Sequence, residues 1–196
     1  VCGGALHRYL DHHCELPSAS LYAMAPLSVR PDGDNAAPGL SWLRVALGTE
    51  LDDPVQRLCS IQAQTAASAA MDRAVGAREQ AEAAPHGPAA MLSRMARLAT
   101  RTLAGERSPL AACSITSVPG PQAPLYLCGA RMSYFSAMLP ISDGMGLAFA
   151  VTSYDGWIII SPTSCRELMP DPERFAQCLR DSFQELLALA DAAGAQ

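Results

Sequence analysis

The sequence has 196 residues, 49% of them hydrophobic and 17% charged, far from the polar, charge-rich composition of chains that stay disordered. That length lies near the top of the single-domain range, so one packed domain is expected. A formal net charge of -5, with the basic residues scattered, leaves no stripe able to neutralise phosphates and argues against nucleic acid as a partner.

The chain opens V-C-G-G-A-L-H-R-Y-L, with no initiating Met, basic leader or small-residue cleavage site, and reads as a chain in progress rather than a signal peptide. Leu6, Tyr9 and Leu10 form one helical stripe over residues 1–14, and Pro17 enforces the exit. Leu21 to Val29 is a short apolar run that predicts a strand, and the following R-P-D-G-D-N predicts an exposed loop. Leu43, Val45 and Leu47 alternate with Trp42, Arg44 and Ala46, the two-residue period of another strand. Asp53-Pro54 starts a helix, with Asp as N-cap and Pro at the first helical position, and the composition carries that helix to Ala84.

Pro85-His86-Gly87-Pro88 breaks it, and a further helix runs from Ala89 to Leu103 with Met91 or Leu92, Met95, Leu98 and Leu103 at helical spacing. Methionines at such positions are read as core filling. Strands are predicted at Ala112–Val118, Arg131–Phe135, Leu147–Tyr154 and Trp157–Ser161, separated by Pro- and Gly-rich turns. Asp171-Pro172 then repeats the helix-start signal, with Phe175, Leu179, Phe183, Leu186, Leu187 and Ala190 on one stripe. This order of elements suits an α/β or α+β layered fold with a mixed β-sheet flanked by helices.

Candidate chemistry is sparse. Seven cysteines without a C-x-x-C pair match neither a disulfide framework nor a zinc site, so no metal is expected and a reducing cytoplasmic setting is the simpler one. The sequence contains no G-x-S-x-G elbow, phosphate-binding P-loop or G-x-G-x-x-G turn, and its uncharged runs fall short of the ~18 apolar residues of a membrane span. His12 and His13 stand together at a predicted helix end, where a histidine favours the macrodipole without any catalytic duty. Ser114 to Pro121, S-I-T-S-V-P-G-P, puts hydroxyls at a strand end before a Pro-Gly-Pro turn, which can line a site or simply stiffen a connection. Ser142-Asp143-Gly144 and Tyr154-Asp155-Gly156 are tight-turn signatures.

An ordered set of motifs carries further information. S-V-P-G-P-Q-A-P-L-Y-L-C-G-A-R at Ser117–Arg131, I-S-D-G-M-G-L at Ile141–Leu147 and S-Y-D-G at Ser153–Gly156 closely resemble the C-terminal half of bacterial wax ester synthase/diacylglycerol acyltransferases. A-L-H-R-Y-L, M-A-P-L-S-V-R-P at Met24–Pro31, D-P-V-Q-R-L at Asp53–Leu58 and M-P-D at Met169–Asp171 extend the resemblance over the whole chain, 1–196. It implies a fold similar to chloramphenicol acetyltransferase and peptide-synthetase condensation domains, whose two related halves meet around a tunnel. The family's catalytic H-H-x-x-x-D-G motif belongs to the other, N-terminal half, and this sequence lacks it; His12-His13 continue C-E-L-P.

The implied activity is O-acyl transfer from acyl-CoA to a fatty alcohol or diacylglycerol, making wax esters or triacylglycerol, with acyl-CoA as substrate and no cofactor. No residue of this chain is then catalytic. Thr116, Ser117, Pro119, Gly120, Pro121, Asp143 and Gly144 are the candidates for lining the substrate tunnel by position and shape. The implied partner is the missing N-terminal half, whose absence would leave an apolar face that homo-oligomers could hide. Peripheral contact with membranes or lipid droplets is implied as well. The alternative is a non-catalytic lipid-binding or dimerisation module of the same descent. Several polar positions of the family pattern differ here: Leu40, Ser117 and Ala148 stand where Asn is usual, Cys165 where Asp is usual, and Ser161-Pro162 replaces a Gly-Leu. Each lost amide or carboxylate removes a hydrogen bond worth roughly 1 kcal/mol unless its partner changed too.

Overall fold

The computed structural model describes residues 1–29, 39–79, 111–141 and 144–194, with backbone alone at 27–29, 39–42 and 68–79. Helix α1 (Cys2–His12) is followed by strands β1 (Tyr22–Val29) and β2 (Gly39–Ala46) and helix α2 (Pro54–Glu79). After residue 111 come β3 (Cys113–Val118), the short pair β4 (Tyr126–Leu127) and β5 (Ala130–Arg131), β6 (Leu147–Tyr154), β7 (Trp157–Ser164) and helix α3 (Pro172–Gly194). The predicted R-P-D-G-D-N loop, the end of the second helix at Ala84, the Pro85–Pro88 break and the Ala89–Leu103 helix lie outside the described residues.

Five strands form one mixed sheet in the order β2-β1-β3-β6-β7. The central β1, β3 and β6 run parallel, and β2 and β7 close the two edges antiparallel. β1 meets β3 only at Ala23 and Met24, while its pairing with β2 continues through Val29. Pro26 has no N–H to donate, so only one neighbour can be followed past it. β7 reaches Ser164, three residues beyond the predicted end, because its register with β6 continues to Leu147↔Ser164, and Pro162 is tolerated on an edge strand.

The predicted strand at Arg131–Phe135 is corrected. Only Arg131 is in a strand, as the end of the β4–β5 hairpin, whose tip Cys128-Gly129 has φ of 50° and 83°. Two consecutive positive φ values make the type I′ turn whose twist suits a two-residue hairpin. Residues 132–135 form no ladder, and two of their carbonyls are held instead by side chains from β6. Tyr154 Oη donates to the Met132 carbonyl (3.0 Å) and Thr152 Oγ1 to the Phe135 carbonyl (2.9 Å).

Strand alternation divides β6 between two surroundings. Leu147 and Phe149 face α1 and α3, where Phe149, Tyr9 and Phe175 stack with ring centroids 5.3–6.0 Å apart. Each buried ring of this kind contributes about 1.5–3 kcal/mol. Ala148, Ala150, Thr152 and Tyr154 face the other way and are equally buried. The stripe on α3 is used only in its first half: Phe175 and Leu179 are buried, together with Cys178 and Ser182, whereas Phe183 and Leu187 are exposed.

The end of α1 is tied to the start of α3. The Tyr9 hydroxyl donates to Asp171 Oδ1, and His13 Nε2 lies 3.3 Å from Asp171 Oδ2. Asp53 caps α2 as expected, accepting the Val55 N–H at 2.8 Å, whereas the Asp171 carboxylate turns toward α1. His12 Nδ1 stands 3.1 Å from an Arg174 nitrogen, so both histidines serve the packing of α1 on α3. Burial first, and then the bond to Asp171, push the Tyr9 phenol up to about 12 from 10.0. The neutral phenol is therefore favoured in the folded state, and the stability it contributes is complete below pH 10.0 and lost as pH rises through about 12. Thermal melts of wild type should fall over that window, and Tyr9→Phe should flatten the fall; parallel profiles would refute the assignment.

Candidate functional site

Ser117 and the Pro119-Gly120-Pro121 turn occupy the carboxyl end of β3, beside the carboxyl end of β6. In open sheets with parallel strands, ligands bind beyond such ends. The register Ser117↔Val151 puts Ser117, Val151 and Ser153 on the same sheet face as Phe149, and across the hairpin Ile158 and Ile160 join them. Among the described residues, α1 and α3 cover this face only over its first half. Toward the strand ends Val151 and Ser153 are half-buried, Ser117 is exposed and Ile158 is 72% exposed. Among the described residues the result is a partly open apolar surface, with Ile160 still packed against the core and two serine hydroxyls at the rim.

The turn is fixed rigidly to this rim. Gly120 N–H donates to Ser153 Oγ (3.1 Å), Asp155 N–H donates to the Pro121 carbonyl (3.0 Å), and Gln122 Nε2 bonds both the Gly120 carbonyl and Ser153 Oγ. Gly120 is required by space: a Cβ there would stand 2.1 Å from the Ser153 carbonyl oxygen and 3.1 Å from Phe135 Cε1. Beyond it, residues 121–131 project as an arm, with Leu125, Tyr126 and Leu127 exposed, the last at 79%. Arg131 anchors the arm through a 2.7 Å ion pair with Asp155 in the β6–β7 turn, an exposed bond that raises the guanidinium pKa.

The sequence candidates are thus only partly brought together. Ser117, Pro119, Gly120 and Pro121 cluster at the open end. Thr116 is half-buried on the opposite sheet face, the one overlaid by residues 132–135. Gly144, with φ of 80°, precedes β6 at the other end of the sheet, and Asp143 lies outside the described residues. Sequence reasoning missed Ser153, Thr152 and Phe135. Ser153 was visible only as the first residue of the S-Y-D-G motif, and nothing local in the sequence announces that β6 ends against the Pro-Gly-Pro turn.

The comparisons with known proteins bear on the same segments. The model of the WS/DGAT C-terminal domain matches residues 39–187. The chain belongs to the wax ester synthase/diacylglycerol acyltransferase family. A Mycobacterium tuberculosis (H37Rv) protein provisionally named a diacylglycerol O-acyltransferase is 33% identical over 99% of this chain and 39% of its own length. A Mycobacterium bovis protein named in the same terms is 31% identical over 94% of this chain and 40% of its own length. The solved wax ester synthase/diacylglycerol acyltransferase from Marinobacter aquaeolei VT8 has the same fold, with a TM-score of 0.69 at 22% identity, over 97% of this chain and 42% of that one. The chain thus spans about two fifths of these relatives.

Ala148 is buried without a polar atom to satisfy, and among the described residues no buried side-chain nitrogen or oxygen lacks a hydrogen-bond partner. All seven cysteines are free, and no described group of His, Cys, Asp and Glu could hold a metal ion. No described helix is long and apolar enough to cross a membrane.

Proposed function

We propose that this chain is the C-terminal part of an acyl-CoA-dependent O-acyltransferase and forms one wall of the passage in which acyl-CoA meets a fatty alcohol or diacylglycerol. The reading is supported above all by the Ser117–Pro121 turn, which is fixed at the carboxyl end of β3 on the half of the sheet face that α1 and α3 leave uncovered. Ester formation needs a base to take the hydroxyl proton, attack of the freed oxygen on the thioester carbonyl, and departure of the CoA thiolate, which collects the proton. Nothing in this chain is assigned the base; it belongs to the N-terminal part that relatives carry.

This wall supplies shape. Val151, Ile158 and Ile160 offer apolar surface to alkyl chains, and Ser117 offers a hydroxyl at the mouth. Acyl-CoA and a long-chain alcohol incubated with the protein joined to, or mixed with, a histidine-bearing N-terminal part should give ester and free thiol in equal amounts. Binding of either substrate without turnover would instead leave a non-catalytic lipid-binding module.

A further inference from the structure

We propose that Ser153 is a positioning residue for the Pro-Gly-Pro turn and, through it, a determinant of which alcohol the site accepts; this rests on the acyltransferase reading. Proline has no N–H, so Pro119-Gly120-Pro121 possesses a single backbone donor, that of Gly120. This donor is already taken by Ser153 Oγ at 3.1 Å. The turn therefore cannot supply an amide hydrogen to a developing oxyanion. What it presents is a wall whose place is set by the bond to Ser153.

The Asp155 N–H to Pro121 carbonyl bond (3.0 Å) holds the far end of the turn, and the bond to Ser153 holds its centre. Phe135 backs Gly120 from the other side, held in turn by the Thr152 hydroxyl, which is fully buried. Gln122 reaches the same Ser153 oxygen at 3.3 Å, so one hydroxyl accepts from both the turn and the residue after it. Ser153 shares its sheet face with Ser117 and Val151, which places the clamp on the face assigned to substrate. Loss of the hydroxyl leaves the Gly120 N–H without its protein acceptor, and the centre of the turn free to shift while the Pro121 carbonyl stays bonded to Asp155.

The test is competition between dodecanol and hexadecanol for one acyl-CoA in the complete enzyme, because a ratio of products is insensitive to how much protein has folded. Ser153→Ala should shift the ratio by about fivefold, the effect of one ordinary hydrogen bond. Ser153→Thr, which keeps the acceptor in a strand, should recover most of that shift. A ratio unmoved by Ser153→Ala, or moved equally by both variants, overturns the proposal. If the wild type forms no ester, the acyltransferase reading fails, and Gly120 amide exchange then tests the clamp alone: it should quicken in Ser153→Ala, and an unchanged rate overturns the clamp as well.

Discussion

Gly120→Ala should lower kcat/KM for ester formation by about 100-fold while the protein remains folded, the size of loss that a misplacement of about 1 Å at a reacting site can cause. The added methyl would stand 2.1 Å from the Ser153 carbonyl oxygen, a backbone atom near the end of β6 that is held by pairing with Ile158 of β7. The turn must move instead, carrying Pro119 and Pro121 with it and stretching the Gly120–Ser153 bond. Stability should change little by comparison, because residues 121–131 beyond the turn are exposed and add little to the core. Circular dichroism and a thermal melt establish that the variant is folded, and an ester assay reads the loss. A folded Gly120→Ala protein with wild-type turnover would remove the turn from the site.

Legibility in the sequence followed the reach of the signals. The alternation in Ser41–Leu47, the uncharged run Leu147–Tyr154 and the two Asp-Pro helix starts are local, and each marks an element found in the structure. Residues 131–135 look like a strand for the same local reason, yet the Met132 and Phe135 carbonyls are occupied by Tyr154 and Thr152 side chains about twenty residues away. That competition is tertiary, and periodicity carries no trace of it. The site behaves likewise. Hydroxyls before Pro-Gly-Pro can be noticed in the sequence, but the opposite facing of Thr116 and Ser117, and the arrival of Ser153 at Gly120, depend on the β3–β6 register.

A similar long-range cause lies behind Cys2-Gly3-Gly4-Ala5, which local propensity alone describes badly. Each glycine inside a helix costs about 1 kcal/mol relative to alanine, so Gly3→Ala would be expected to stabilise an isolated α1. In the folded protein it should do the reverse. A Cβ on Gly3 would lie 2.4 Å from the Leu47 carbonyl oxygen, at the point where α1 crosses the chain leaving β2. That crossing is pinned by Arg57, whose buried guanidinium donates to the carbonyls of Gly48 (3.0 Å) and Leu51, so the Leu47–Gly48 backbone cannot retreat cheaply. Overpacking against backbone on both sides costs up to about 3 kcal/mol, and the net loss of about 2 kcal/mol left after the helix-propensity gain would lower Tm by roughly 4–8 °C for a domain of this size.

Gly4 provides the internal control. Its hypothetical Cβ meets side chains: Ser182 Oγ at 2.3 Å, which can rotate, and Arg57 Nη1 at 2.9 Å, which carries neither carbonyl bond and needs only a small shift. Ser182 would give up its bond to the Val1 carbonyl (3.0 Å) in doing so, a cost of about 1 kcal/mol, which helix propensity roughly offsets. Gly4→Ala should therefore melt within a few degrees of wild type and Gly3→Ala well below it. If the two variants melted together, or Gly3→Ala melted higher, the close approach of α1 to the Leu47 backbone would not be what fixes glycine there.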